Sequence, residues 1–408
     1  MKRIFTLFLA ITIFCVCMVS ASGAPEGFFD DTDDAEVVDV AALAREPADV
    51  MTENLEITAP SAILMEKETG AVIYEKDADS KREPASVTKV MTLLIIAEEL
   101  AAGTISLDDE VSVSAYAASM GGSQVFLEEG ERMSVRDMLK SIVVVSANDA
   151  SVAMAEFISG SEQAFTARMN ERAGELNMTN TNFTNCSGLK DDPGHVTTAR
   201  DIAIMSCELI KHDIIKEFTK IWIDTVRSGE FGLSNTNKLI RYYDGATGLK
   251  TGFTSRSKYC LSATAERDGI EYIAVVMAEE TSAKRFESAK ILLSYAFANY
   301  TLADAAPDAV LPPVMVELGR ARTVQPVLKE EAKLLVKKRE AASISKTVTL
   351  EENIKAPVKA GAKIGEFTIS SGDRILGEFD IIAADDVAKI TWGDVFIEFI
   401  KMFFASVA

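Results

Sequence analysis

Histidine and cysteine are scarce in this chain of 408 residues, and their scarcity excludes several kinds of site. The two histidines are His195 and His212, and the sequence contains no CxxC, HxH or HExxH pattern. Zinc centres built from protein side chains need several such ligands at short, regular spacings. We therefore expect no zinc-dependent chemistry.

The five cysteines do not form a disulfide framework. Cys15 and Cys17 lie in the apolar N-terminal segment, which leaves Cys186, Cys207 and Cys260 for the folded part of the chain. Three cysteines are an odd and sparse set, so the fold must be stabilised by packing rather than by cross-links. We expect all three to occupy core positions without a catalytic role.

Basic residues are also in the minority, with 42 Lys and Arg against 62 Asp and Glu and a formal net charge of −20. An acidic surface repels phosphate groups, and an acidic protein releases few counterions on binding a nucleic acid. The charge balance therefore argues against a nucleic-acid partner.

A long apolar run stands at the N-terminus, from Ile4 to about Val19. Two basic residues precede it and a cluster of small residues follows it, which is the arrangement of an export signal. We predict a signal peptide over residues 1–24. The alternative is a retained membrane anchor, for which the run is somewhat short. The acidic segment 25–54 is predicted to be a solvated leader.

Hydrophobic periodicity divides the rest of the chain into three parts. Residues 55–302 have strand-like runs at both ends and helical patterns in the middle, which predicts an α/β (α+β) domain with one sheet and a helical subdomain. Residues 303–386 open with an Ala/Asp/Pro-rich linker and continue as short alternating runs between turns, which predicts a small all-β domain. Residues 387–408 return to a helical period.

The last segment predicts an amphipathic helix. Its apolar residues recur at the spacing of one helical face: Trp392, Val395, Phe396, Phe399, Ile400, Phe403 and Val407. Three ionisable residues within it, Asp394, Glu398 and Lys401, argue against a membrane span. We predict a helix that lies in the membrane interface, with packing on its own domain as the alternative.

Ser86 and Lys89 form the first pattern that carries chemistry, a Ser-x-x-Lys segment at the start of a predicted helix. Side chains three residues apart on a helix share a face, with about 5–6 Å between their Cβ atoms. A serine hydroxyl needs a neighbouring base, and a lysine amine can serve only when burial or a second cation keeps it neutral. Lys250 is a candidate for that second cation.

Two further motifs give this pattern its weight. Ser-x-x-Lys alone carries little information, because it recurs at residues 187–190, 255–258 and 343–346. In contrast, Ser146-Ala147-Asn148 is the single Ser-x-Asn in the chain, and Lys250-Thr251-Gly252 is the single Lys-Thr-Gly. The three motifs in this order are far more specific than any one of them.

The three motifs are a signature of penicillin-binding proteins and class A β-lactamases. The sequence resembles a low-molecular-mass penicillin-binding protein of the serine-type D-alanyl-D-alanine carboxypeptidase family. Phe126–Gly130, Asn185–Leu189 and Thr197–Asp201 add to the resemblance, which is strong from Leu55 to Tyr300 and looser beyond. It implies a penicillin-binding/β-lactamase-like transpeptidase domain with an antiparallel sheet, then a β-domain that serves as a stalk and a membrane-anchoring helix.

The resemblance also implies the partners and the location. The substrates would be peptidoglycan stem peptides that end in D-Ala-D-Ala, and β-lactams would act as inhibitors. No metal or organic cofactor is implied. The protein would be exported and would lie at the outer face of the cytoplasmic membrane, in the cell wall space, where it binds the membrane surface through its terminal helix.

Carried over by the resemblance, four residues would perform the reaction. Ser86 would attack the carbonyl between the two D-alanines, with Lys89 as the base. Ser146 would relay a proton towards the leaving amine, and Asn148 would orient Lys89 and the substrate amide.

The resemblance assigns further residues to substrate binding. Lys250, Thr251 and Arg285 would hold the terminal carboxylate, although Arg285 is alternatively a surface helix residue. Gly252 would let the substrate lie against its strand. The oxyanion hole would consist of the backbone N–H groups of Ser86 and Phe253.

Three other functions remain open at the level of sequence. A class A β-lactamase has a Glu-x-Glu-Leu-Asn segment, and here Ala173 stands at the first Glu position before Glu175-Leu176-Asn177. A non-catalytic sensor of β-lactams or wall peptides would not need an intact nucleophile and base. Endopeptidase or transpeptidase activity proceeds from the same acyl-enzyme, so the motifs do not exclude it.

Overall fold

The computed structural model describes residues 55–189, 192–304, 306–330 and 332–405. The predicted signal peptide, residues 1–24, and the predicted leader, residues 25–54, lie outside these residues.

The first part of the chain combines one large sheet with a helical region. Its strands are β1 (Ser61–Glu66), β2 (Val72–Lys76), β3 (Glu110–Ser112), β4 (Arg132–Ser134), β5 (Ile223–Val226), β6 (Phe231–Ser234), β7 (Ala246–Thr254), β8 (Lys258–Arg267) and β9 (Ile270–Glu279). Its helices are α1 (Lys89–Ala102), α2 (Ala115–Ala118), α3 (Val135–Val144), α4 (Asn148–Ser159), α5 (Glu162–Glu175), α6 (Ala199–Leu209), α7 (Asp213–Thr219), α8 (Leu239–Tyr242) and α9 (Ser282–Asn299).

The large sheet has the order β2-β1-β9-β8-β7, and every neighbouring pair is antiparallel. All six residues of β1 are buried, which requires cover on both faces of the sheet. α6 packs against β1 and β9, while α9 packs against β8 and β9. The predicted antiparallel sheet with a helical subdomain is thereby confirmed.

Helix α1 runs through the centre of the helical region, and its first nine residues are all buried. A helix that is apolar on every side is expected to be enclosed. The α-helix begins at Lys89, and a 3-10 turn at Ala85–Thr88, which contains Ser86, precedes it. Such turns are frequent at helix N-termini.

The second part is rich in β-structure, as predicted. Its strands are β10 (Tyr300–Asp304), β11 (Val314–Glu317), β12 (Thr323–Val324), β13 (Pro326–Leu328), β14 (Lys333–Lys337), β15 (Ile344–Leu350), β16 (Asn353–Lys355), β17 (Lys363–Ser371) and β18 (Arg374–Ala383), with one short helix, α10 (Lys338–Ala341). Sheets of order β12-β11-β16 and β13-β18-β17-β15 enclose a core that contains Phe367 and Ile381. β10 pairs with β14 and runs to Asp304, across the division predicted between residues 302 and 303.

Helix α11 (Trp392–Ala405) follows the β-rich part. Asp394 accepts a hydrogen bond from Thr391 N–H at 2.8 Å and forms an ion pair with Arg320 at 2.9 Å. The ion pair attaches the start of the helix to the β-rich part of the chain. Trp392 is 90% exposed and Phe396 is 64% exposed. Among the residues that the structure describes, no helix is both long enough and apolar enough to cross a membrane.

Candidate active site

Ser86 and Lys89 meet at the junction between the 3-10 turn and α1. Lys89 is fully buried, and its Nζ lies 3.1 Å from Ser86 Oγ, within hydrogen-bond distance. Ser86 is partly exposed, so a ligand can reach its hydroxyl. The spacing of the motif thus places a nucleophilic oxygen and an amine in direct contact, as the sequence predicts.

Two further acceptors fix the amine of Lys89. It donates to Asn148 Oδ1 at 2.6 Å and to the carbonyl oxygen of Ser187 at 2.8 Å. Asn148 is itself held, because its Nδ2 donates to the carbonyl oxygen of Gly121 at 2.9 Å. The structure therefore brings the predicted residues Ser86, Lys89 and Asn148 into one hydrogen-bonded chain.

Ser146 lies in the connection between α3 and α4 and is almost completely buried. Its φ of +66° is unfavourable for a residue with a Cβ atom, and its Oγ has no hydrogen-bond partner among the described residues. A buried hydroxyl without a partner costs free energy, and strained backbone of this kind concentrates at functional sites. The hydroxyl of Ser146 is therefore available to a bound group.

The Lys-Thr-Gly motif lies in β7, the edge strand of the large sheet. Lys250 and Thr251 are buried, and Lys250 Nζ donates to the carbonyl oxygen of Thr251 at 3.1 Å. Thr251 Oγ1 lies 2.7 Å from Thr236 Oγ1. These contacts hold two polar side chains on the strand next to the Ser86 turn.

Glycine is required at position 252 for a structural reason that the sequence did not reveal. A Cβ atom at this position would lie 2.8 Å from the carbonyl oxygen of Pro84 and 3.1 Å from the backbone nitrogen of Ser86. The backbone of the 3-10 turn that carries Ser86 thus excludes a side chain at position 252, whatever a substrate requires. The close approach also brings this end of β7 beside the backbone N–H of Ser86.

Arg285 and Phe253 lie beside this end of β7. Arg285, on α9, is only 6% exposed, so it is not the surface helix residue that the sequence left open. Its Nη1 donates to the carbonyl oxygen of Gly252 at 3.2 Å, and its guanidinium lies over the ring of Tyr259. Phe253 stacks on the same tyrosine, with 4.3 Å between ring centroids.

His195 supports the 3-10 turn that carries Ser86, through Thr88. The N–H of Thr184 donates to Nδ1 at 3.0 Å, which leaves the ring proton on Nε2. Nε2 donates to Thr88 Oγ1 at 2.7 Å, and that hydroxyl donates to the carbonyl oxygen of Ala85 at 2.7 Å. Burial lowers the pKa of His195 from 6.5 to about 4. The imidazole is therefore neutral at physiological pH and acts as a fixed donor.

This burial predicts a pH dependence of stability. Between pH 6.5 and about 4 the unfolded chain binds a proton at His195 that the folded chain does not, so the free energy of unfolding falls as the pH is lowered. The effect amounts to about 3 kcal/mol at most. His195→Gln removes the titrating group, so denaturant unfolding at pH 7 and pH 4.5 should show a smaller difference for this variant. An equal difference in both proteins would contradict the assignment.

Gly188 and Asp149 lie beside these residues, and the sequence motifs assigned neither of them a role. A Cβ on Gly188 would lie 1.9 Å from the carbonyl oxygen of Ala85, so only glycine lets this segment pack against the 3-10 turn that carries Ser86. Asp149 is fully buried and accepts from the N–H groups of Val125 and Leu127 at 3.1 and 3.0 Å. An acidic residue in the first turn of a helix was the available signal for Asp149.

The cysteines take no part in this site. Cys186 and Cys260 are buried and Cys207 is partly buried, and all three thiols are free. Burial raises the pKa of Cys207 to about 12 and that of Cys260 to about 11. Within the described ranges, no cluster of three or more His, Cys, Asp or Glu side chains could hold a metal ion. The reactive groups brought together here are a hydroxyl, an amine and oriented amides, which are the requirements for acyl transfer to a serine.

Two family models match the chain. One is described as D-alanyl-D-alanine carboxypeptidase and matches residues 48–281, and the other is described as the C-terminal domain of penicillin-binding protein 5 and matches residues 306–389. The chain is 41% identical over 355 residues to the D-alanyl-D-alanine carboxypeptidase DacF of Bacillus subtilis, which covers 86% of this chain and 90% of that protein.

Solved structures show the same similarity. Penicillin binding protein 5 from Haemophilus influenzae superposes with a TM-score of 0.76 at 28% identity, over 83% of this chain and 100% of that chain. Penicillin-binding protein D2 from Listeria monocytogenes, in its ampicillin-bound form, superposes with a TM-score of 0.55 at 31% identity, over 60% of this chain and 99% of that chain.

Proposed function

Since this chain belongs to the D-alanyl-D-alanine carboxypeptidase family, we propose that Ser86 is its nucleophile and Lys89 its general base. The protein is a serine-type D-alanyl-D-alanine carboxypeptidase of the penicillin-binding group. It removes the terminal D-Ala from peptidoglycan stem peptides through an acyl-enzyme. The observation that carries the assignment of residues is the position of Lys89 Nζ, 3.1 Å from Ser86 Oγ and 2.6 Å from Asn148 Oδ1.

Acylation begins with attack on the carbonyl carbon of the penultimate D-Ala. The Oγ of Ser86 forms a bond to this carbon while the neutral amine of Lys89 takes the hydroxyl proton. When the C–N bond breaks, the proton passes through the unpartnered hydroxyl of Ser146 to the leaving amine, and D-Ala departs. Water then attacks the ester, which frees the shortened peptide and restores Ser86.

Charge that develops on the carbonyl oxygen requires fixed donors. The backbone N–H groups of Ser86 and Phe253 supply them in this proposal, and the close packing of Gly252 against the Ser86 turn supports it. Donors that are already oriented stabilise the oxyanion without reorganisation in the transition state.

The terminal carboxylate of the substrate is assigned to the same segment of β7, on its side chains rather than its backbone N–H groups. Lys250 and Thr251 are buried polar residues of β7, and Arg285 contacts the strand at Gly252. Burial strengthens the attraction between a carboxylate and a cation because water no longer screens it. Lys250 also serves as the second cation that favours the neutral amine at Lys89.

β-Lactams acylate the same serine in this mechanism, because their ring amide replaces the scissile bond. A β-lactamase needs a carboxylate to activate the deacylating water, and the corresponding position is the apolar, buried Ala173. We therefore expect a long-lived penicilloyl adduct. Mass spectrometry tests this expectation in two assays. The intact protein is analysed after incubation with benzylpenicillin, and a peptide ending in Lys-D-Ala-D-Ala is analysed separately after incubation with the protein. A lasting adduct with release of one D-Ala is expected, whereas rapid penicillin turnover without peptide cleavage would indicate a β-lactamase.

We further propose that the protein is exported and lies on the outer face of the cytoplasmic membrane, held by α11. The support is the set of large apolar side chains that α11 exposes, including Trp392, Phe396 and Phe399. Amphipathic helices of this kind bury one face at the boundary of headgroups and acyl chains. Because Lys401 is the single basic residue of the helix, apolar burial rather than charge must supply the binding energy.

This proposal predicts that Phe396→Asp and Phe399→Asp together abolish membrane binding of the full chain. A charge on the apolar face makes insertion unfavourable, and binding to phosphatidylcholine vesicles in a sedimentation assay should fall at least about tenfold. Ile375→Asp is the matched control, because Ile375 is 57% exposed but lies on β18. If the control and the double variant lose binding equally, α11 is not the anchor.

A further inference from the structure

Two phenylalanines form a partly exposed apolar pair, one in the loop between α2 and β4 and the other at the start of β6. The rings of Phe126 and Phe231 have centroids 6.4 Å apart, and Phe126 is 40% exposed. The guanidinium of Arg227 lies 5.5 Å from the centroid of the Phe231 ring. We call Phe126 and Phe231 the aromatic shelf. The reaction steps described above give it no role.

Phe126 is held in a conformation that it would not adopt alone. Its φ is +55°, which is a genuine outlier for a bulky side chain. The N–H groups on both sides of it, those of Val125 and Leu127, donate to the buried Asp149. Arg227 donates to the carbonyl oxygens of Val125 at 2.8 Å and of Phe126 at 3.1 Å. Several contacts thus maintain a strained backbone that presents an apolar ring to solvent.

The loop that carries Phe126 is the same loop that fixes Asn148. The N–H of Asn148 donates to the carbonyl oxygen of Ser123 at 2.7 Å, and its Nδ2 donates to that of Gly121. The family resemblance implies that Asn148 orients Lys89 and the substrate amide. Phe126 therefore lies in a loop that is held at Gly121 and Ser123 by Asn148 and at Val125 and Leu127 by Asp149, the next residue along the chain.

A second connection joins the shelf to the substrate strand. Phe231 begins β6, and the chain leaves this strand for Thr236, whose Oγ1 contacts Thr251 of β7 at 2.7 Å. The N–H of Thr236 also donates to the carbonyl oxygen of Val144, just before Ser146. Phe126 is thus connected to Asn148 through its own loop, and Phe231 is connected to Thr251 through the segment that follows β6.

The charges around the shelf define what it can bind. Arg227 is neutralised by Glu131, with 2.8 Å between Nε and Oε1. Glu128 and Glu129 follow Phe126 closely and are exposed. An apolar surface with exposed acidic residues close by in the chain suits an aliphatic chain that ends in a cation, since methylene groups can cover the rings while the charge meets the carboxylates.

We infer that the aromatic shelf binds the long side chain of the stem residue that precedes D-Ala-D-Ala, an aliphatic chain ending in an ammonium group. This inference rests on the proposed function, because the substrate must already be oriented by Asn148. The shelf therefore sets selectivity for the acyl half of the substrate and does not take part in bond making or breaking.

The test compares two peptides, acetyl-L-Lys-D-Ala-D-Ala and acetyl-L-Ala-D-Ala-D-Ala, by rates of D-Ala release. Phe126→Asn retains the positive φ, which asparagine tolerates, and removes the ring. For this variant kcat/KM on the lysyl peptide should fall about tenfold, mainly through KM, and on the alanyl peptide less than about twofold. Phe231→Ala should lose selectivity in the same direction. Phe157→Ala is the control, since Phe157 is 38% exposed but lies near the end of α4.

The outcomes separate the inference from the proposed function. If kcat/KM fell equally on both peptides, or if only kcat fell, Phe126 would merely support the fold of the loop that contacts Asn148. The shelf would then not be a subsite. If wild-type protein released D-Ala from neither peptide, the proposed function itself would be wrong. Thermal unfolding of each variant identifies any that has not folded, and the Phe231 variant then decides.

Discussion

Alanine in place of Ser86 should abolish both reactions of the protein. Without the hydroxyl no acyl-enzyme forms, so D-Ala release should fall by at least about 10⁴-fold. The penicilloyl adduct should also disappear from the mass spectrum of the intact protein. Ser86 is partly exposed and lies in a short turn, so this substitution should leave the thermal unfolding temperature nearly unchanged.

Ser343→Ala is the matched control, because Ser343 also stands three residues before a lysine. Its hydroxyl donates to the carbonyl oxygen of Glu340 in the β-rich part, far along the chain from Ser86. This variant should retain both activities. If Ser86→Ala still formed a penicilloyl adduct, another nucleophile would have to be sought.

Lys89→Arg separates the charge of the lysine from its role as a base. A guanidinium remains protonated at any pH that the protein tolerates, so it retains the positive charge but cannot take the proton of Ser86. We expect acylation by benzylpenicillin and hydrolysis of the lysyl peptide to fall together by about 10²–10⁴-fold. Stopped-flow acylation and D-Ala release measure the two effects.

Because Lys89 is fully buried, arginine introduces volume as well as a different pKa. Lys89→Met retains the unbranched stem and removes the amine, so it tests the same role with less crowding. Both variants should be inactive, and their unfolding temperatures show whether they fold. Acylation by a folded Lys89→Met variant at more than about a tenth of the wild-type rate would contradict the base assignment.

The sequence predicted the residues of the three motifs because each motif is a local pattern. Ser86 and Lys89 are three residues apart at the start of a helix, so their contact follows from helical geometry. The meeting of Asn148 with Lys89 is a contact between residues 59 positions apart, and only the ordered motifs indicated it. The class of fold was likewise predictable from the alternation of strands and helices along the chain.

What the sequence did not reveal depends on close packing between distant segments. Gly188 and Gly252 are required by the backbone of the Ser86 turn, and nothing local at either glycine shows that contact. The positive φ of Phe126 is likewise imposed by Asp149 and Arg227, against the preference of the residue itself. Strain of this kind is a property of the folded chain and has no signature in composition or period.

The enclosed thiols give the protein a practical property. A chain that starts after residue 24 contains only Cys186, Cys207 and Cys260, and burial raises the pKa of each of them. Thiolate is the species that reacts with maleimides, so these positions are nearly inert at neutral pH. A single cysteine introduced on the exposed face of α11 would then carry a fluorophore or spin label alone, in an otherwise unaltered enzyme. The depth of the helix in a bilayer can thus be followed by spectroscopy without first removing the native cysteines.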